Sequence, residues 1–397
     1  MKVLVLGGDG FCGWPSAVHL SRAGHEVTIV DNLVRRRTDD ELGVQSLTPI
    51  APIAERLAAW EEATGLGIGY EDLDLAQDYD RLLAVLDGLR PDAVVHFAEQ
   101  RSAPYSMEDS GHKRYTVDNN VNATHNVLTG LVEARLDAHL VHLGTTGVYG
   151  YETSPVDLPE GYLEVTYPDR CGGTVTREIL YPTKPGSVYH LTKSMDQLLL
   201  QYYAENDNLR VTDLHQGIVW GTQTDDTRLD DRLVNRFDYD GDFGTVLNRF
   251  LMQAAIGYPL TVHGTGGQTR AFINIADSVR CVRLAVESAD QVKGRVRIMN
   301  QLAETLRVED LARLVAGMLD GSIDHVSNPR VEAAANELAL RNSNLRALGF
   351  QPILVSEGLM QESIEIATRY ADRCDRSKIR AESFWTRDRR AAAEEGQ

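Results

Sequence analysis

The chain opens on Val3-Leu4-Val5-Leu6 and runs directly into Gly7-Gly8-Asp9-Gly10-Phe11-Cys12-Gly13. An unbroken apolar run followed by glycines at three-residue spacing leaves few folds open. The run suits a strand buried on both faces, and the glycines suit a turn so tight that a helix starts against that strand. Gly7 permits the turn, Gly10 lets backbone approach a pyrophosphate, and Gly13 lets the helix pack closely, so phosphates meet a positively polarised helix end. The spacing is GxxGxxG and not GxGxxG, and glycine spacing by itself is weak evidence. A second strand at 26–30 ends in Asp31, near the distance at which a carboxylate meets the ribose hydroxyls of a dinucleotide. An acid there repels the extra phosphate of NADP, so the cofactor expected is NAD. Phe11 and Cys12 in the turn, and Asn32 after Asp31, join the candidate cofactor contacts. Arg35 begins the run Arg35-Arg36-Arg37, which reads as pyrophosphate neighbours or a solvated loop face ahead of an NADP clamp.

Strands and helices keep alternating: an apolar strand at 93–97 ends in Phe97, a helix follows around 117–135, and the next strand covers 138–143. Apolar strands separated by helices predict an α/β fold with a doubly wound parallel sheet covered on both faces. Ligands then bind beyond the carboxyl ends of the strands. Asp74 and Leu75, Gln100-Arg101-Ser102, and Gly144-Thr145-Thr146-Gly147-Val148-Tyr149-Gly150 all fall at such ends. Residues 1–215 are expected to form mainly the cofactor domain, with an insertion at about 151–186. Residues 216–385 form mainly a smaller, interleaved α/β substrate domain, with about 268–290 returning to the first, and 386–397 is a tail.

The 397 residues are 43% hydrophobic and 25% charged, enough for a large core in one large or two interleaved domains. No run approaches the roughly 18 apolar residues of a membrane span. The first strand begins at once, so the expectation is a cytoplasmic protein, or one trimmed of a presequence. Cys12, Cys171, Cys281 and Cys374 form no CxxC or Cys/His pair, which predicts reduced thiols and no metal. A net charge of −18 argues against nucleic acid and anionic membrane as partners. It also requires any anionic substrate to find a local basic pocket.

A helix is predicted over 187–206, where apolar residues recur at three- and four-residue spacing. Tyr189 and Lys193 then lie one turn apart on one face. An ammonium beside a phenol favours phenolate, so Tyr189 is expected to titrate below its ordinary value and act as a base. Tyr and Lys four apart are common on ordinary helices, and the pair gains meaning from Thr145, a candidate partner for the reacting hydroxyl. His190 beside Tyr189 is a second candidate for acid–base work, or else a partly buried helix histidine.

In this order the glycine turn, Asp31, Thr145 and the Tyr-x-x-x-Lys at 189–193 resemble the extended short-chain dehydrogenases that work on nucleotide sugars. The resemblance implies a Rossmann domain holding NAD, with Tyr189 as base, Lys193 on the ribose and lowering the Tyr189 pKa, and Thr145 on the sugar hydroxyl. It also implies a homodimer built on two helices per subunit. Longer strings, among them Glu-Gln-Arg-Ser-Ala-Pro-Tyr-Ser-Met (99–107), Phe-Gly-Thr-Val-Leu-Asn-Arg-Phe (243–250) and Asn-Pro-Arg-Val-Glu (328–332), are similar to one branch of that family. Over about 1–385 they look like the branch that builds a sulfonated sugar from UDP-glucose and sulfite. By that likeness C4 is oxidised, water leaves from C6, sulfite adds there and the hydride returns. Arg101, with backbone donors near Gln100 and Ser102, would hold sulfite, and His190 would protonate the leaving C6 hydroxyl or deprotonate C5. Gln216 would touch both the sugar and the cofactor, and Asp74, Leu75, Phe97 and Tyr189 would also line the cofactor. Asn248, Thr261, Val262, Gln268, Arg270 and Arg330 would read uridine and diphosphate, the arginines through paired charged hydrogen bonds. The acidic stretch 222–242 has too few apolar positions for a core helix and is expected to cover the sugar. Thr146-Gly147-Val148 departs from the Met-Gly-Glu of that branch, which bears on the elimination step. A Val-Tyr-Gly ending is shared with 4-epimerases, so epimerisation stands as the alternative. A non-catalytic NAD-binding regulator is a third reading, against which Thr145, Tyr189 and Lys193 all count.

Overall fold

Along β1 (Lys2–Leu6) successive side chains enter two different cores. Val3 and Val5 pack with Trp14, Ala17 and Val18 of α1 (Gly13–Arg22), while Leu4 and Leu6 join leucines from helices on the opposite face. Apolar residues on both sides of a period-two strand are what a sheet covered on both faces demands. The computed structural model describes residues 1–385 apart from 155, 290, 291, 293, 358, 359, 381, 382 and 384. The tail expected at 386–397 lies outside the described residues.

The chain continues through β2 (Glu26–Val30), α2 (Val34–Leu42), α3 (Ile53–Thr64), β3 (Ile68–Glu71), α4 (Tyr79–Leu89), β4 (Ala93–His96), α5 (Ser110–Glu133) and β5 (His139–Thr145). A hairpin of β6 (Tyr162–Pro168) and β7 (Thr174–Leu180) precedes α6 (Val188–Asn206), β8 (Arg210–Gln216) and β9 (Ile218–Trp220). Then come α7 (Val246–Ala255), β10 (Leu260–His263), β11 (Thr269–Asn274), α8 (Ile275–Glu287) and β12 (Arg297–Gln301). β13 (Glu304–Arg307), α9 (Val308–Leu319), β14 (Ile323–Val326), α10 (Ser343–Ala347) and α11 (Met360–Arg369) complete the described elements. Helix α5 starts well before the predicted 117 because Asp109 caps it, accepting from the His112 N–H at 2.9 Å. Helix α6 falls where expected, with Ser187 as its cap.

Seven parallel strands form the central sheet in the order β12-β8-β5-β4-β1-β2-β3. This is the doubly wound Rossmann-type arrangement. The order reverses at β1, which opens a crevice at the carboxyl ends of β1 and β4. A smaller α/β part is built on the sheet β13-β11-β9 and the pair β10-β14. Its core includes Trp220, Phe250, Phe272, Leu311 and Val315. Of the segment predicted to return, β11 stays in this smaller part while α8 packs into the core shared by α1 and β1, and β12 beyond it joins the central sheet. The stretch 222–242 is indeed loop-like. Most of it is fastened to the dinucleotide half, with Trp14 donating to Leu233 O at 3.0 Å and Asn235 to Phe11 O at 2.9 Å. No helix among the described residues is long and apolar enough to cross a membrane.

Candidate active site

At Gly7 the backbone is left-handed (φ +80°), and a side chain there would sit 2.7 Å from the backbone nitrogen of Ala98. At Gly13 it would meet Gly7 O at 2.0 Å, so glycine lets α1 start against the turn. No side chain caps α1 and its first turn holds no acid, which leaves the partial positive charges of the helix end for an anion. They border a cleft of about 1190 Å³, open solvent included. Fourteen residues were expected to contact the cofactor, and the structure brings all of them to this cleft, from Gly7, Gly10, Phe11, Cys12 and Gly13 to Lys193 and Gln216.

Asp31 stands at the end of β2 with its oxygens accepting the N–H groups of Asp9 (2.8 Å) and Leu33 (2.7 Å). Burial above all pushes its pKa up to about 6. Asn32 donates to Asp74 at 2.9 Å, and Leu75 and Phe97 supply apolar wall. Of the arginine run, Arg37 is exposed and Arg35 borders the cleft, and all three make contacts within the protein. Arg36 grips Asp9 at 2.7 and 2.8 Å, Arg35 meets Asp39 and Asp238, and Arg37 donates to Asn32 O at 2.6 Å. An acid at Asp31 fits the ribose of NAD, and neither Arg36 nor Arg37 lines the cleft beside it.

Tyr189 lines both this cleft and a second one of about 1580 Å³, open solvent included. One turn on, the Lys193 ammonium donates to Leu143 O at 2.6 Å and pairs with Glu99 at 2.8 Å. Here the expectation about acidity fails. Burial pushes the Tyr189 pKa up to about 12, Lys193 pulls it down, and Glu99 reinforces the rise. The sequence showed the ammonium but not the carboxylate that shares it. Below Tyr189, His142 meets Asp213 at 2.8 Å and Glu99 at 3.3 Å. Burial and Lys193 oppose a charge on this ring, yet Asp213 and Asp196 outweigh them and raise its pKa to about 10. Ligand atoms of Glu99, His142 and Asp196 lie within 4.8 Å of one another, and the Lys193 ammonium stands beside them where a cation would sit.

Thr145, His190, Gln216 and Arg101 line the second cleft. The Thr145 hydroxyl accepts from Gly147 N at 3.1 Å and caps a short turn over 146–149. His190 is buried between Ser187 Oγ (2.9 Å from Nδ1) and the Tyr151 hydroxyl (3.1 Å from Nε2), and burial first, then Arg330 and Arg270, bring its pKa down to about 3. Gln216 donates to Ser278 and Gln301, each at 2.9 Å. Arg101 pairs with Asp238 at 2.5 Å. The backbone donors expected to help it hold an anion are engaged: Gln100 N–H with Asn120 at 2.8 Å, and Ser102 N–H with the Gln100 side chain.

Thr261, Gln268, Arg270 and Arg330 line the far wall of the second cleft, joined by Arg249 and His263, which sequence reasoning passed over. Asn248, Val262 and Gln100 do not line it. The Asn248 amide holds Gly221, accepting from its N–H at 2.8 Å, and one residue further round α7 it is Arg249 that faces the cleft. Val262 is fully buried in the apolar core, while its strand neighbours Thr261 and His263 share the other face. Gln100 borders the dinucleotide cleft, its amide on Ser102 O and Thr116, both at 3.0 Å.

Two clefts meeting at Tyr189, one shaped for a dinucleotide with Lys193 in its wall and the other walled by arginine, define an NAD-dependent enzyme of nucleotide-sugar type. Residues 3–300 match the NAD dependent epimerase/dehydratase family, and the chain belongs to it. It is similar to the chloroplastic UDP-sulfoquinovose synthase of Spinacia oleracea, 44% identical over 97% of this chain and 79% of that protein. The UDP-sulfoquinovose synthase of Sulfolobus acidocaldarius is 40% identical over 89% of this chain and 88% of its own. The fold is also that of the UDP-glucose 4-epimerase of Thermotoga maritima, with a TM-score of 0.70 and 19% identity over 94% of this chain and all of that one.

Proposed function

We propose that the chain converts UDP-glucose and sulfite to UDP-sulfoquinovose. The observation that carries this reading is the 44% identity, over 97% of the chain, with a protein named for that reaction. NAD, when bound, supplies the acceptor for the C4 hydride and returns it at the end. Tyr189 takes the C4 hydroxyl proton while Thr145 holds that oxygen and Lys193 orients the ribose. A ketone at C4 makes the C5 proton acidic and prepares the loss of the C6 hydroxyl, the step assigned to His190 in the wall of the second cleft. Arg249, Arg270 and Arg330 suit the diphosphate, and sulfite is assigned to the neighbourhood of Arg101, which borders both clefts.

The departure at 146–148 weighs less than its sequence suggests. Val148 is 1% exposed and packs with Tyr149, Leu158 and Leu338, so in this chain position 148 faces a core and not the sugar. Simple 4-epimerisation has less support, since the likeness to the Thermotoga maritima epimerase is one of fold at 19% identity. Incubation with UDP-glucose, with and without sulfite, separates the two. The expected product appears only with sulfite and is heavier by exchange of hydroxyl for sulfonate, whereas UDP-galactose formed without sulfite would favour the epimerase.

A homodimer is part of this proposal. Leu191, Leu198 and Tyr202 remain 43%, 62% and 58% exposed along α6, at spacings that form one stripe. Light scattering should give twice the monomer mass, and a monomer would remove the claim. The four unpaired cysteines suit the reducing cytoplasm, which is the location proposed.

A further inference from the structure

The Tyr151 hydroxyl lies 3.1 Å from His190 Nε2, and Ser187 Oγ lies 2.9 Å from Nδ1. Ser187 Oγ also accepts the His190 backbone N–H at 3.2 Å. A neutral ring with its proton on Nδ1 satisfies every contact: Nδ1–H donates to Ser187, and Nε2 accepts from Tyr151. Glycine at 147 is what admits the pair. A Cβ there would lie 2.3 Å from His190 Cδ2, 2.5 Å from Nε2 and 3.0 Å from the Tyr151 oxygen. The Arg270 guanidinium stands 4.2 Å over the Tyr151 ring and holds it from the other side. Tyr151, His190, Tyr189 and Thr145 all line the second cleft, and the His190 ring is 5.1 Å from that of Tyr189 and 5.7 Å from that of Tyr151, centre to centre.

Tyr189 serves the C4 hydroxyl in the reaction proposed above, and the inference rests on that reading. A phenol bonded to a neutral imidazole at the same cleft is a second device for moving a proton. We propose that Tyr151 is the residue that, with His190, carries the proton from C5 of the sugar to the hydroxyl leaving C6. Tyr151 passes its proton to His190 Nε2 as its oxygen takes the proton from C5. The C5–H electron pair becomes the C5=C6 bond and the C6–O bond breaks. The departing oxygen takes a proton from Tyr151 and leaves as water, and His190 returns its proton to Tyr151. Tyrosine and neutral histidine are restored and no oxidant or reductant is consumed. Arg330 and Arg270, after burial, are what hold down the basicity of His190. A diphosphate across those arginines offsets their charge, so the pair gains basicity when the nucleotide is in place.

The test compares Tyr151→Phe with the unaltered enzyme in two readouts on UDP-glucose. One is reduction of the bound nicotinamide by absorbance; the other is deuterium uptake at C5 from heavy water by mass spectrometry. The expected result is that the variant loses about a hundredfold or more in C5 exchange beyond any loss in nicotinamide reduction, within the range of a general acid–base residue. His190→Gln, which can still accept from Tyr151 but cannot carry a proton, should show the same split. Equal exchange in Tyr151→Phe and the unaltered enzyme overturns this proposal alone, as does normal exchange in His190→Gln should the first variant fail to fold. No nicotinamide reduction in the unaltered enzyme overturns the UDP-glucose reading and this proposal with it.

Discussion

In the Tyr189→Phe enzyme the bound nicotinamide is expected to stay oxidised when UDP-glucose is added, with turnover lower by about 10²- to 10⁴-fold. The ring keeps its packing in this variant, so the loss isolates the oxygen that takes the C4 proton. More than about a tenth of the original rate would remove Tyr189 from that role. The same centre predicts a pH dependence. Burial and Glu99 hold the Tyr189 pKa up to about 12 in the ligand-free protein, against the pull of Lys193, so the rate of nicotinamide reduction should rise with pH through the neutral and alkaline range. In Glu99→Gln one charge that raises the pKa is gone, and the rising limb should move to lower pH. A limb that stays in place, or moves upward, would show that Glu99 does not govern this tyrosine.

That Glu99 has this influence could not be read from Tyr-x-x-x-Lys, because the carboxylate lies 90 positions before Tyr189 and reaches Lys193 only through the fold. What was legible is local. The apolar run of β1, the glycine turn and the acid ending β2 are each confined to a few residues, and the cleft they border is where they predict it. Finer placement needed the phase of each element. In α7 one step of helical rotation puts Arg249 and not Asn248 at the cleft, and in β10 alternation puts His263 there and not Val262. The insertion at 151–186 gave no sign of its hairpin, whose strands are mostly exposed and bury too little apolar surface to show a clear pattern. Buried ion pairs were least visible. Asp9 with Arg56 spans 47 positions and Arg35 with Asp238 spans 203.

Asp238 is where Arg35, Arg101 and Arg236 converge, and its replacement by asparagine should produce a large loss of stability. It is 4% exposed, and its oxygens meet Arg35 and Arg236, each at 3.1 Å, and Arg101 at 2.5 Å. Asp39 shares Arg35 and Arg236 but does not reach Arg101. The amide of an asparagine would keep the shape and remove the charge, leaving guanidinium groups packed together with one carboxylate too few. Breaking a buried pair from one side costs about 3–5 kcal/mol, because the remaining charge stays desolvated. Urea unfolding of the ligand-free protein near neutral pH should show a fall of that size, and a change below about 1 kcal/mol, the scale of an exposed pair, would mean that these charges are hydrated and the cluster is loose. The pH dependence has a definite sign. Burial opposes the Asp238 carboxylate, but Arg236, Arg35 and Arg101 outweigh it and hold its pKa well below the usual range. Its contribution is therefore complete above the unfolded value of about 3.9 and is lost as the pH falls below that. The stability gap between Asp238→Asn and the unaltered chain should stay constant at neutral pH and narrow in acid. Arg35, Arg101 and Arg236 all border the dinucleotide cleft, so an added dinucleotide, through its pyrophosphate, should restore part of the stability that the variant loses.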